Sequence, residues 1–226
     1  MRSRPLPAPR RALVALALAA AVTACSGPPA PPDPGSFAGV GLPGAVTLPD
    51  LEIEVDPGVR SSLPERLTGA VNLVFVGYTY CPDICPVHLA NLGAVLRDLP
   101  LEISREVEVA FVTADPARDT HARIDAWLRA LDPRFEVKFH GFRPTRDEVN
   151  ALEDALGIPR SVVDPEGADG EYFVAHAGQV IAFDEAGRAR AAYPWGIRQR
   201  DWHADLPRLV RGEWPPLGDD SAAELR

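Results

Sequence analysis

The sequence predicts an α/β layer sandwich, with a central mixed sheet flanked by helices, on the strength of three observations. Val71, Leu73, Val74, Phe75 and Val76 form a short apolar run bounded by turn residues, as a strand covered on both faces requires. Leu89, Leu92, Val95, Leu96 and Leu99 then recur at helical spacing. The same alternation repeats along the chain and closes on a late pair of strands and a last helix.

Taken in order, the first strand runs into a helix with Pro86 at its first position, where a missing N–H costs nothing. Val107, Val109, Phe111 and Val112 make a second strand that ends at Thr113-Ala114-Asp115-Pro116. Ile124, Trp127, Leu128 and Leu131 fit the i, i+3, i+4, i+7 pattern of a second helix, with Asp119 or Thr120 as its N-cap. A short strand near Val137 to Phe139 leads to a third helix. That helix carries the capping-box pair Thr145 and Glu148, the apolar positions Val149, Leu152 and Leu156, and Gly157 as its stop. Two short alternating segments, Tyr172 to Ala175 and Gln179 to Asp184, read as a late hairpin, with a further strand ahead of Tyr193. Trp202, Leu206, Leu209 and Val210 mark the closing helix. These parts, in this order, are those of a thioredoxin-like layer sandwich.

Both ends of the 226-residue chain read as lying outside that sandwich. Arg2, Arg4, Arg10 and Arg11 precede an apolar stretch from Ala12 to Val22, too short to span a bilayer as a stable helix, so residues 1–24 read as a secretory signal. Val22-Thr23-Ala24-Cys25 resembles the lipobox of bacterial lipoproteins. That resemblance implies Cys25 as a lipidated first residue, and an exported domain tethered to a membrane on its extracytoplasmic side. Residues 25–44, with Pro28, Pro29, Pro31, Pro32, Pro34 and Pro43, read as an extended spacer. Residues 45–212 read as the one folded domain, and 213–226, Pro-containing and acidic, as a loose tail. Loss of residues 1–24 removes four arginines and leaves 19 basic against 32 acidic side chains, a net charge of −13. Nucleic acid and anionic lipid are poor partners for such a chain. Met1 is the only methionine, so the mature protein has no thioether to offer a metal.

Cys81 and Cys85, in Tyr78-Thr79-Tyr80-Cys81-Pro82-Asp83-Ile84-Cys85-Pro86, stand at the first strand-to-helix junction. Cys85 falls at or beside the helix N-terminus, whose free N–H groups and macrodipole lower a thiol pKa, as a nucleophile or a metal ligand needs. Residues four apart on a helix have Cβ atoms about 5–6 Å apart, whereas a disulfide needs roughly 3.5–4.5 Å. Slight distortion at Pro82 would permit the bond, and one soft metal bridging two sulfurs at about 2.3 Å each fits without strain. A static disulfide is the plain alternative, although a bridge over so short a loop constrains the unfolded chain little. A soft ion such as Cu(I) wants a third ligand, and imidazole serves Cu(I) and Cu(II) alike. Of the five histidines, His176 stands out in Phe173-Val174-Ala175-His176-Ala177-Gly178, between apolar segments and without charged neighbours. His88, three residues after Cys85, either faces the pair or points to solvent, while His121, His140 and His203 read as surface residues.

The cysteine run, then Asp115-Pro116-Ala117-Arg118-Asp119-Thr120, Leu131-Asp132-Pro133-Arg134-Phe135, and His176 before a strand ending in Asp184-Glu185-Ala186-Gly187-Arg188, together resemble the Sco/SenC family over roughly residues 44–210. Members of that family are membrane-tethered copper proteins of thioredoxin fold that help assemble the dinuclear copper site of cytochrome c oxidase subunit II. The resemblance implies one copper ion, Cu(I) or Cu(II), held by Cys81, Cys85 and His176. It also implies that Asp115, matching the family's Asp-Pro, orients or tunes the site, unless it only caps or turns the chain ahead of the second helix. Asp83 either supports the site or closes the turn between the cysteines. Ala175 and Ala177 depart from the family pattern, which usually has an acidic residue before the histidine and often a hydroxyl after it. That departure bears on affinity and Cu(II) stability.

Two functions are consistent with this reading. A copper-binding assembly factor passes its ion to the oxidase subunit by ligand exchange, and loads only when its cysteines are reduced and deprotonated. A thiol–disulfide oxidoreductase instead keeps that subunit's cysteines reduced, and other copper or thiol-redox proteins are partners in either case. Thioredoxin-type enzymes usually carry Cys-x-x-Cys and a proline just before the late hairpin. Here the spacing is one residue longer, no proline lies between Pro165 and Pro194, and His176 stands where the proline would be, which favours metal. Peroxiredoxins place a threonine three before the peroxidatic cysteine, whereas Thr79 lies two before Cys81, and that class is set aside.

Overall fold

The computed structural model describes residues 35–43, 45–132, 137–164 and 172–217. The chain divides into two compact units, Met1–Gly35 and Ser36–Arg226. The expected signal, Cys25 and the first half of the spacer lie outside the described residues, as do Pro133 to Phe135 and the end of the tail. Among the described residues no helix is long and apolar enough to cross a membrane.

The second unit runs β1 (Val40–Gly41), β2 (Ile53–Asp56), β3 (Val59–Ser61), α1 (Leu63–Arg66), β4 (Val71–Gly77), α2 (Ile84–Asp98), α3 (Leu101–Ser104) and β5 (Val107–Thr113). It continues with α4 (His121–Leu131), β6 (Lys138–Phe142), α5 (Arg146–Leu156), β7 (Val162–Asp164), β8 (Phe173–Ala175), β9 (Val180–Asp184), β10 (Ala189–Tyr193) and α6 (Gln199–Val210). Six strands make one sheet in the order β1-β10-β9-β4-β5-β6. The β4–β5 and β5–β6 pairs are parallel, while β9 runs antiparallel to both β4 and β10, so the sheet is mixed as expected. Every residue of β4 and β5 is buried, which explains why their apolar residues do not alternate with solvent-facing ones: with both faces covered there is no solvent side, and Asn72 and Glu108 are themselves buried. Phe75, Phe111 and Phe183 from three of these strands share one core with Leu89 and Leu92 of α2.

Local signals place the helix ends. Pro86 is the third residue of α2, not the first, because the helix already begins at Ile84; the N–H it lacks would still have been without a helical acceptor. Leu99 is extended at ψ 151° ahead of Pro100, which stops the helix. The N-cap of α4 is Thr120, whose hydroxyl accepts from the Arg123 N–H at 3.2 Å. Thr145 and Glu148 form the expected capping box on α5, and Gly157 ends it at φ +67°, a left-handed conformation open to glycine.

Strand pairing departs from expectation late in the chain. Phe173–Ala175 does not form a hairpin with the segment after it; β8 pairs with β7, Val163 opposite Val174, as a separate ribbon. The hairpin is made instead by β9 and β10, turning where Gly187 N–H meets the Asp184 carbonyl at 2.9 Å. Nor does β9 alternate, because it lies between β10 and β4 and is buried throughout. The ribbon strand β8, by contrast, buries only Val174.

Register decides where chemistry can collect. Phe75 near the end of β4 lies opposite Val180 at the start of β9, so the loop from His176 to Gln179 meets the residues leaving β4. Gly77 lies opposite Thr113 in the parallel pair, which brings Ala114 and Asp115 to the same end. The carboxyl ends of parallel strands are where open α/β sheets hold their ligands.

The limits of the domain also shift. Val40–Gly41, inside the expected spacer, is an edge strand paired with β10. The buried Asp205 of α6 fixes its approach, accepting from the N–H groups of Ala38 at 2.9 Å and Gly39 at 3.4 Å and from the Tyr193 hydroxyl at 3.1 Å. At the far end Trp214 packs against the core and Leu217 bridges to Gly41, so the start of the expected tail belongs to the fold. Asp205→Ala leaves three donors without their acceptor. A loss of about 1–3 kcal/mol is expected, read as a lower midpoint of urea unfolding; an unchanged midpoint would show that this tie carries no weight.

Candidate metal centre

The turn from β4 into α2 places the two cysteines differently. Cys81 sits in the turn, its N–H donating to the Tyr78 carbonyl at 3.2 Å, and remains part-exposed. Cys85 lies in the first turn of α2 and is fully buried. Its sulfur occupies the space over Gly77, where a Cβ would stand 2.7 Å from that sulfur and 2.9 Å from the Phe75 ring. A side chain at 77 would therefore displace the sulfur, a close approach of the kind glycine permits.

His176 arrives on the loop that enters β9. Its Nε2 lies 3.4 Å from Cys85 Sγ, and the two sulfurs and one ring nitrogen all fall within 4.8 Å of one another. Its Nδ1 is 3.0 Å from the Ala177 carbonyl oxygen. A carbonyl only accepts, so Nδ1 keeps its proton and Nε2 is the nitrogen presented to the sulfurs. Phe75 and Tyr78 stand edge-on to the imidazole at 5.9 and 5.6 Å and fix its plane. Thiolate and imidazole ligands bound to one first-row ion at about 2.0–2.3 Å lie no more than roughly 4.6 Å apart. The observed spread is close to that limit, so one ion fits with small side-chain movements. Among the described residues no other three His, Cys, Asp or Glu side chains come together in this way.

The thiols are electrostatically unequal. The Cys85 thiol donates to Cys81 and is the main reason the Cys81 pKa falls, to about 3, against the opposing effect of its own partial burial. Its hydrogen bond with His176 and the backbone N–H groups of Cys85 and Asp83 lower it further. Burial pushes Cys85 the other way, well above the ordinary thiol value, and the neighbouring Cys81 charge adds to that. This reverses the expectation from sequence. The open N–H groups at the start of α2 point at the sulfur of Cys81 in the turn, while Cys85, on the helix itself, turns into the core.

The SCO1/SenC family model matches residues 60–211, which takes in both cysteines and the histidine. The chain belongs to the SCO1/SenC family. A Stutzerimonas stutzeri protein named for copper binding is 29% identical over 172 residues, 76% of this chain and 81% of that one. The apo Sco1 protein of Thermus thermophilus matches with a TM-score of 0.65 and 28% identity, over 77% of this chain and 97% of that one. ScoI of Bradyrhizobium japonicum with copper bound matches at 0.62 and 26%, over 73% and 99%. Family and thioredoxin-like sandwich are thus as the motifs implied.

In this SCO1/SenC chain the residues around the three donors differ in part from expectation. Asp115 is buried, but its carboxylate accepts from Arg118 Nε at 2.5 Å and from the Tyr172 hydroxyl at 2.8 Å. Arg118 lies over the rings of Tyr172, Tyr80 and Tyr78 at 3.5, 4.7 and 5.8 Å, and Tyr78 in turn abuts His176. The Asp115 carboxylate thus touches none of the three donors and reaches His176 through an arginine and a tyrosine. Asp83 is exposed at the N-cap of α2 without a side-chain cap bond, and contributes its backbone N–H to Cys81 instead of its carboxylate. His88 neither joins the donors nor faces solvent; it is buried between Phe75 at 5.4 Å and Trp195 at 5.5 Å. His121 and His140 are part-buried beside Glu54 and Glu108, each at 3.3 Å, and His203 is exposed beside Asp98. Ala177 holds His176 through its carbonyl, so the missing hydroxyl leaves that tie intact.

Gly77 and Tyr78 were not legible as site residues, although a glycine closing a mostly apolar strand was the signal available. With Cys81 already ionised, its alkylation by iodoacetamide is expected to stay flat from about pH 5 to 8, with Cys85 unreactive across that range. Peptide mapping after pH-stepped labelling checks this. Equal labelling of both thiols, or a Cys81 rate that climbs steadily with pH, would contradict the assignment.

Proposed function

We propose that this chain is a copper carrier, in which Cys81, Cys85 and His176 hold one Cu(I) or Cu(II) and surrender it by ligand exchange to the dinuclear copper site of cytochrome c oxidase subunit II. The observation that carries the reading is the convergence of two sulfurs and one imidazole nitrogen within 4.8 Å. Thiolates select soft ions and imidazole accommodates both copper states. The copper-bound relative and the name of the Stutzerimonas protein point the same way. Because Cys81 is already a thiolate, loading displaces a proton chiefly from Cys85. The part-exposed Cys81 is the ligand an incoming partner thiolate reaches first. A lipid on Cys25, following cleavage after Ala24, keeps the carrier at a membrane on the extracytoplasmic side, where such an oxidase subunit presents its copper site.

A second reading rests on the part-exposed Cys81 thiolate beside a protonated Cys85. Cys81 attacks a target disulfide and forms a mixed disulfide, and the released target sulfur takes up a proton. Cys85 then loses its proton, attacks the Cys81 sulfur, and frees the second target thiol as the pair becomes a disulfide. Here Cys85→Ser traps the mixed disulfide.

Titration of the reduced full chain with Cu(I) against a competing chelator tests the first reading. His176→Ala is expected to weaken binding roughly tenfold or more and to remove the nitrogen from the X-ray absorption ligand set. Loaded wild type is expected to pass copper to the soluble domain of subunit II. Equal affinity in wild type and His176→Ala, or a sulfur-only ligand set, would end the three-donor reading; copper that stays put beside that domain would end the proposed partner.

A further inference from the structure

We infer that Asp119 is a positioning residue for the metal site, fastening the turn that carries Cys81 to the end of β5; this rests on the reading of the chain as a copper carrier. Asp119 is fully buried and is not the cap of α4, whose N-cap is Thr120. Its Oδ2 accepts from the Thr79 N–H at 2.9 Å and from the Thr113 hydroxyl at 2.6 Å, and its Oδ1 accepts from the Thr79 hydroxyl at 2.5 Å.

The proton directions are fixed by a further ring of donors. Thr79 Oγ1 accepts from Arg123 Nε at 2.7 Å, and Thr113 Oγ1 accepts from the Asp115 N–H at 3.0 Å. Each hydroxyl therefore sends its own proton to Asp119, and all three contacts call for an acceptor. An amide in place of the carboxylate either sets N–H against the Thr79 N–H or leaves the Thr79 hydroxyl proton without its acceptor. Asp119 is itself held from behind: its N–H donates to the Asp115 carbonyl at 2.9 Å, and its carbonyl accepts from Arg143 Nε at 2.9 Å.

The element so held is the one the site needs. Thr79 lies two residues before Cys81, and Tyr80 between them is covered by the Arg123 guanidinium at 3.6 Å. Cys85 is placed by a helix and His176 by the strand pairing of β9, but Cys81 sits in a turn with no ladder of its own. Asp119 supplies the missing constraint, joining that turn through Thr113 to the strand parallel to β4. It touches neither sulfur nor imidazole, and acts on the metal through Thr79.

Three variants of the reduced full chain test this. Asp119→Asn and Thr79→Val are expected to weaken Cu(I) binding roughly tenfold or more, as loss of a buried hydrogen bond to a charged group does. Both should shift the thiolate-to-Cu(II) charge-transfer band, whereas Thr79→Ser, which keeps the hydroxyl, should match wild type in both measurements. In the copper-free protein, amide exchange at Thr79 and Cys81 should accelerate in the first two variants and not in the serine variant. An unchanged affinity and band in folded Asp119→Asn, or a valine variant indistinguishable from the serine one, would overturn the inference. If Asp119→Asn fails to fold, the two Thr79 variants decide. A wild type that takes up no copper would sink the carrier reading alone, because amide exchange in the metal-free protein still judges the clamp.

Discussion

The antiparallel pairing of β9 along β4 is the constraint on which the site depends. It sets Val180 opposite Phe75 on one side and opposite Tyr193 on the other, so two ladders fix the same strand. A slip of one residue would turn every side chain of β9 to the opposite face and exchange Ile181 and Phe183 with Val180 and Ala182 in two close-packed layers. His176 lies four residues upstream of that fixed point, and the short intervening loop can only deliver it to the place where β4 gives way to α2. The histidine and the cysteines, distant along the chain, are thus brought together by the main chain. The side chains add the detail: a ring plane set by Phe75 and Tyr78, and a tautomer set by the Ala177 carbonyl.

Unequal burial then divides the labour between the sulfurs. Backbone N–H groups at the start of a helix stabilise whatever anion lies in front of them, and here that anion belongs to the turn and not to the helix. Cys85, driven into the core over Gly77, is a proton donor to its neighbour before it is anything else. A pair built in this way holds one negative charge and one proton in readiness. The same asymmetry suits capture of a cation and exchange with a disulfide, which is why geometry alone leaves room for both chemistries at one place.

Much of the molecule was legible from its residues. Val71 to Val76, the second strand, and the capping box of α5 were readable because each rests on local pattern: burial on both faces, period, or a reciprocal pair three residues apart. The three donors were legible as residue types in the runs of a known family. What escaped was non-local. The partner of β8 depends on β7 and not on the strand next in sequence, and an alternating pattern cannot name its partner. Asp119 sits where an N-cap was expected, yet its carboxylate serves a threonine forty residues earlier. Which thiol ionises was misread because the helix N-terminus was visible in the sequence, but the direction of the Cys85 side chain was not.

The edge strand β1 decides where the chain joins the sheet. It runs antiparallel to β10, with Val40 opposite Ala192, so the backbone enters the sheet at the end where β10 finishes and β9 begins. Three strand spacings, roughly 14 Å, separate that entry from β4, and both belong to the same rim of the sheet. Asp205 nails the entry point in place through Ala38 and Gly39. The described chain therefore joins the sheet at the rim that bears the sulfurs and not at the opposite edge, so the metal centre and the first residues of the domain share one end of the molecule.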